Sequence, residues 1–336
     1  MSATTMDPAI DKPFSAGRRQ TTHKLTAPPA LREEIQALSI PDGRLHLLYG
    51  LPYIAAYLGC FAFILLNDNP LWLWLVGFLM GNQLYLLFIL HHDCVHYAAF
   101  RTRGFNILLG RLYALFLIKT FTATYETHKR HHSSLGIPDD DPDEYFFAGG
   151  ARWVLVRYWT NFTRHTYLAL TRYGSKVRNK VIVEQSVNAL FWAGVHGALF
   201  AAGMLDKAFF LFWLPLATIT LVIAPLTRAY EHLPLCYYPP GDPRRTDPAY
   251  NSVTVTSRFL GLFWGGVTYH TEHHSFPRVP FYRLRRLHLL LKAHGVAYLT
   301  APYTLFGVAQ GEDVIPLMER HGRPAPSAVA EPARVG

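Results

Sequence analysis

Four stretches of about 20 residues run almost without charge: 47–67 (LLYGLPYIAAYLGCFAFILLN), 70–90 (PLWLWLVGFLMGNQLYLLFIL), 187–205 (VNALFWAGVHGALFAAGML) and 208–227 (AFFLFWLPLATITLVIAPLT). At 1.5 Å per residue each gives about 30 Å of helix, the thickness of a bilayer's hydrocarbon core. Asp68 and Asn69 alone separate the first pair, Asp206 and Lys207 the second. The pattern predicts an all-α integral membrane protein with four transmembrane helices in two tight hairpins. Buried helices of a soluble protein rarely repeat such a length four times. Two shorter apolar stretches do not fit a span. Residues 105–121 are interrupted by Arg111 and Lys119, and 257–269 is too short. Both are expected as amphipathic or re-entrant pieces at the interface.

The polar flanks complete the layout. Residues 1–45 form an N-terminal cytoplasmic arm with no apolar run of the kind a cleaved secretory signal needs. Within it Leu31, Ile35 and Leu38 recur near helical spacing and predict a short helix over 31–39. The rest of the arm is expected on the membrane surface or loose. Residues 46–310 are expected to form the membrane domain, and the Pro- and Ala-rich tail, 311–336, is expected to be disordered.

Of the 336 residues, 50% are hydrophobic and 16% charged. A soluble domain has about 25% charged residues. Disorder over most of the chain is excluded, and the mean hydropathy of +0.10 points to an object part in lipid and part in water. The net charge of +9 is placed unevenly. From residue 45 to 100 there is no Lys or Arg, and from 181 to 227 only Lys207, whereas 101–180 carries thirteen and the stretch beyond 227 twelve. The positive-inside rule then turns both hairpin tips outward and puts both termini and the 97–186 loop in the cytoplasm, as in a bacterial inner membrane. Topology accounts for the charge, so nucleic acid is set aside as a partner. Cys60, Cys94 and Cys236 are far apart and odd in number, which suggests neither a disulfide framework nor a thiolate zinc site.

Seventeen histidines remain to be explained, and they are not scattered. The second run leads straight into HHDCVH, where His92 and His96 sit one helical turn apart. HKRHH places His128, His131 and His132 at i, i+3 and i+4, and HTEHH repeats that spacing with His270, His273 and His274. His232 closes an RAYEH stretch just after the fourth run. All nine can meet in one layer at the cytoplasmic ends of the spans. Neutral imidazole suits Fe, Zn, Cu and Ni. Nine ligands exceed what one metal takes and fit two, so the cytoplasmic helical cap is expected to hold a di-metal site. Asp93, Glu126, Glu231 and Glu272 lie close in sequence and are expected to accept from the rings' other nitrogens. His23, His46, His165, His288, His294 and His321 are read as ordinary polar residues. His91 points about 100° away from His92, and His196, mid-span, is read as a packing or hydrogen-bonding group.

HDCVH, HKRHH and HTEHH, with their spacing and the paired spans, resemble the membrane fatty acid desaturase superfamily, which includes carotenoid and sphingolipid desaturases and hydroxylases. The likeness covers roughly residues 45–300. HHSSLGIPDDDPDE resembles the HH…G…DPD continuation of the second box, and YHTEHHSFPRVPFYRL the surroundings of the third. The resemblance implies that His92 and His96, then His128, His131 and His132, then His270, His273 and His274, with His232 as the extra ligand, hold two Fe ions in a non-haem di-iron centre that uses O2. The third box begins with His270 rather than the glutamine of front-end desaturases, and no HPGG haem motif is present.

The expected function is O2-dependent desaturation of an acyl chain in a membrane lipid. Hydroxylation or ketolation of a carotenoid, sphingolipid or other isoprenoid or lipid is the alternative, and a non-catalytic membrane metal-binding protein the second. The chain has no GxGxxG, no CxxCH and no iron–sulfur spacing, so electrons are expected from a ferredoxin or a cytochrome b5-like donor. The basic loop could steer an acidic donor to the cytoplasmic face.

Overall fold

The structure is a computed structural model that describes Phe14 and residues 23–301; the expected tail lies outside the described residues. Helix α1, Arg32–Leu38, matches the short helix read from the arm. Asp42 then accepts from the backbone N–H groups of Arg44 and Leu45 and caps α2, Gly43–Leu66. Asn69 does the same for α3, Pro70–Val95, through Leu71 N, with Pro70 in the first turn where its missing N–H costs nothing. Leu48, Leu51, Leu58, Trp72 and Trp74 point outward and exposed, as lipid-facing residues do, while α3 buries most of its length between neighbours.

Helix α4, Arg103–Phe116, and α5, Phe121–Ser134, meet at a bend of 106°. The 105–121 stretch thus forms a helix and a turn, with Phe105, Leu108 and Leu112 on its exposed face. Short helices α6 (Glu144–Phe147), α7 (Ala151–Tyr158) and α8 (Asn161–Thr171) build the cap. Helix α9 covers Ser175–Ala201. The last long helix, α10, covers Phe209–Arg228 and widens to π geometry at Phe209–Trp213 and Ile219–Ile223.

Among the described residues three helices are long and apolar enough to cross a membrane, namely α2, α3 and α10, or four if the bent pair α4–α5 is one span. The third expected span does not stand alone. Its residues are the second half of α9, which starts twelve residues earlier in the polar stretch SKVRNKVIVEQS and ends at Ala201. The second expected hairpin also departs from the pattern. Helix α10 packs along α3, where Gly77 and Gly81 let the Leu214 and Thr218 side chains close in. Helix α9 leans on α4, α5 and α8 and meets α10 through Trp192 and Phe212. At the turns, Lys207 donates to Asp68 Oδ1 at 2.6 Å and to the Asn67 carbonyl, tying the two tips together.

The remaining elements fold over the far ends of α3 and α10. Helix α11, Arg258–Trp264, takes up the 257–269 stretch. It is followed by α12, His270–Ser275, and α13, Phe281–Ala293. A two-residue parallel pair, Thr254–Val255 with Thr300–Ala301, closes the cap. The described part of the N-terminal arm is not loose. Leu25, Leu31, Ile35 and Leu38 are buried against Leu284, Leu287 and Leu291 of α13.

Candidate metal centre

The end of α3, the second half of α5, the segment after α10 and α12 bring all nine predicted histidines into one buried layer. Helical periodicity does the local work: residues three and four apart share a face, so each box turns its rings one way. His92, His96, His128, His132 and His273 form one group whose nitrogens lie within 4.8 Å of one another. His131, His232 and His274 form a second. The His270 Nε2 lies 2.9 Å from His232 Nε2 and joins its edge. The groups touch where the His132 and His274 rings stack, with centroids 4.0 Å apart and planes 11° from parallel.

The donor chemistry fits a cation. His128 Nε2 is 2.8 Å from His92 Nε2 and 3.0 Å from His132 Nε2, which is itself 3.1 Å from His273 Nε2. A neutral imidazole nitrogen has one proton or one lone pair, so it cannot serve two such neighbours as a hydrogen-bond partner. His96 Nε2 is buried with no partner at all. Nitrogens crowded in this way make sense as ligands aimed at common points, in a set of donors that suits iron or another first-row metal. Burial pulls His128, His132, His232, His270, His273 and His274 far below the ordinary histidine range, helped by the neighbouring rings. They are therefore neutral at pH 7, the state that binds metal.

His131 differs. Burial pulls it down too, but Asp141 and Asp143 outweigh burial and leave it raised. Its Nδ1 lies 2.7 Å from Asp141 Oδ1 and 3.7 Å from Asp143 Oδ2. Asp141 is fixed in turn by the N–H groups of Gly136 and Asp143. Gly136 adopts φ +76°, and a Cβ there would sit 2.0 Å from the Arg245 carbonyl oxygen, so glycine is needed at that turn. His232 Nδ1 lies 3.0 Å from the Asn251 carbonyl.

The four carboxylates expected behind the rings sit mostly elsewhere. Glu231 alone approaches one, 3.5 Å from His270 Nε2 and 3.4 Å from Arg228. Asp93 accepts from Phe281 N and lies 3.7 Å from His46 Nδ1. Glu272 binds His288, Tyr298 and Thr254. Glu126 offers its backbone carbonyl to Tyr173. Sequence reasoning missed Asp141, whose signal was the acidic run DDDPDE just past the second box.

The other histidines stay outside the layer. His91 Nδ1 lies 2.8 Å from the Gly110 carbonyl, and His196 Nδ1 lies 2.8 Å from Trp192 O and packs on Phe212. His165 pairs with Asp143 and His288 with Glu272. His46 is fully buried, whereas His23 and His294 are exposed. His321 is outside the described residues.

Beside the layer, a crevice of about 560 Å³ opens between α4 and α9. Leu108, Leu112, Leu115, Val183 and Val187 line it, with Arg111 and Glu184 paired at 2.9 Å and Lys119 at its wall. Phe121 separates it from His91, with ring centroids 5.9 Å apart. The Lys119 ammonium lies over Phe88, whose ring is 6.0 Å from that of His92.

Comparison with known proteins agrees with this geometry. The profile of the fatty acid desaturase family matches residues 69–305. Dihydrorhizobitoxine desaturase of Bradyrhizobium elkanii is 28% identical over 64% of this chain and 66% of its own length. A Delta(5) fatty acid desaturase of Caenorhabditis elegans is 24% identical over 67% and 59%. The chloroplastic omega-6 fatty acid desaturase of Arabidopsis thaliana is 22% identical over 65% and 51%. The chain thus spans between half and two thirds of the length of these relatives.

Proposed function

The chain belongs to the fatty acid desaturase family, and from that premise we propose that it removes two hydrogens from the acyl chain of a membrane lipid, using O2 and two iron ions. The observation that carries this reading is the convergence of nine imidazoles in two touching groups at the ends of apolar helices. His92, His96, His128, His132 and His273 would hold one iron, and His131, His232, His274 and His270 the other. Iron bound there would supply the oxygen activation that hydrogen removal from an unactivated C–H bond demands, work no side chain can do.

The residues of this chain supply position and exclusion of water. Asp141 holds the His131 ring with Nε2 facing the layer, and the Asn251 carbonyl does the same for His232. The rings are buried under α12 and the cap, which keeps bulk water from the reacting carbon. The crevice between α4 and α9 suits an acyl chain: its exposed lining is mostly apolar, its volume is within the ordinary ligand-pocket range of about 300–1,000 Å³, and Lys119 and Phe88 lie between it and His92. Desaturation rather than hydroxylation is favoured because the relatives share the word desaturase in names that otherwise differ in substrate. Residues 46–310 carry this activity. The positive-inside bias of the basic segments supports a cytoplasmic side for the layer and both termini, where a ferredoxin or cytochrome b5-like protein would deliver electrons.

Expression in a host with an adequate reductant, followed by mass spectrometry of lipids and pigments, tests the reading. The expected product is lighter than its precursor by two hydrogens. A product heavier by one oxygen would make the protein a hydroxylase. No change at all would favour a metal-binding protein without turnover.

A further inference from the structure

We propose that Lys24 is a positioning residue that sets the spacing between the two halves of the metal layer, a role that rests on the di-metal reading. Its ammonium donates to two backbone carbonyls, His132 O at 3.1 Å and His274 O at 2.6 Å. These residues are far apart in sequence, and each belongs to a different group of rings. They are also the pair whose rings stack at 4.0 Å. One cation thus ties the main chains of the most closely stacked pair that links the five-histidine group to the three-histidine group.

Both carbonyls are of the kind that needs such a partner. His132 lies in the last turn of α5 and His274 in the last turn of α12. The final carbonyls of a helix have no intrahelical N–H and carry the negative end of its dipole. At His132 the N–H four residues on belongs to Gly136, and it donates to Asp141 instead. An ammonium satisfies both ends with three rotatable donors and one positive charge.

Lys24 is held in place from both sides. His23 N donates to the Thr246 carbonyl at 3.0 Å, and Leu25 N to Ser275 Oγ at 3.4 Å. Leu25, Leu31, Ile35 and Leu38 then anchor the arm on α13. The arm read from sequence as surface or loose chain therefore delivers a charge to the back of the metal layer. With carbonyls pinned on one side and rings stacked on the other, His132 and His274 cannot slide apart. The distance between the two points their nitrogens face is fixed by that clamp.

The test compares iron-loaded wild-type protein with Lys24→Gln, Lys24→Arg and Leu31→Ala. Iron per chain is measured, together with the iron–iron distance by X-ray absorption. Lys24→Gln is expected to bind one iron about 10–100-fold more weakly and to show a longer or unresolved iron–iron distance. Lys24→Arg, whose fork can reach both carbonyls, should restore it. Leu31→Ala loosens the arm's packing without removing the cation, and should lower the melting temperature while leaving the distance unchanged in loaded protein. A wild-type distance in Lys24→Gln, or a changed one in Leu31→Ala alone, would overturn the role of Lys24. Should Lys24→Gln not fold while Lys24→Arg folds with a shifted distance, the clamp is likewise refuted. Wild-type protein that takes up no iron pair would sink the di-metal reading instead.

Discussion

The two halves of the histidine layer are built from the same side chain and held in different ways. In the smaller half, His131 and His232 are each anchored from behind, by Asp141 and by the Asn251 carbonyl. In the larger half, His92 Nδ1 and His132 Nδ1 are buried with no hydrogen-bond partner, as is His96 Nε2. The smaller half has two rings oriented by protein, with His270 Nδ1 left without a partner. The other relies on packing of ring against ring and has more ligands than one ion ordinarily needs. Outer hydrogen bonds fix the tautomer and direction of a ligand, so His131 and His232 of the smaller half are preorganised, whereas the larger half would be completed by a metal.

Removing a ligand should break the comparison most severely. His128→Ala and His232→Ala should each abolish turnover and lower iron from about two to about one per chain. His232→Ala should also disorder its neighbours less, because Asp141 still holds His131. Retained activity in either variant would take that residue out of the centre.

Acid should separate His131 from the other rings next. Rings whose pKa is lowered on folding contribute stability above about pH 6.5, and it is lost as pH falls because the unfolded chain takes up protons. His128, His132 and His273 in the larger half behave so, as do His232, His270 and His274 in the smaller. His131 has the opposite sign: its raised pKa adds stability below its unfolded value that fades as pH rises. Metal-free protein should therefore melt at lower temperature as pH drops from 7.5 to 5.5, and Asp141→Asn should steepen the drop. A flat profile would mean the rings are already charged or hydrated.

The smallest change sharpens the contrast. At pH 7, Asp141→Asn should weaken iron in the smaller half by about 10–100-fold and leave the larger half loaded. Equal loss from both halves would show that they act as one unit.

The nine ring positions were legible because ligand spacing on a helix is a local property, written as i, i+3, i+4. Their partners were not, for the same geometric reason. A residue beside a ligand in sequence points about 100° away, so Asp93 faces His46 and Phe281 while His92 faces the layer. Asp141 reaches His131 only through the turn at Gly136, a tertiary arrangement that no period records. The spans show a similar division. Apolar runs located α2, α3 and α10, but α9 continues through a polar stretch whose hydrophobicity alone did not mark it as helix. Its choice of α4, α5 and α8 as neighbours depends on packing faces rather than on the short loop to α10.

The Lys207 clasp has a mechanical consequence. It fastens the two turns at the end opposite the histidines, using the only basic residue between 181 and 227. Any splaying of α2 and α3 from α10 must pivot there. Over helices roughly 30 Å long, a few degrees at that pivot become a gap of ångströms at the histidine layer, so the fold puts its leverage there.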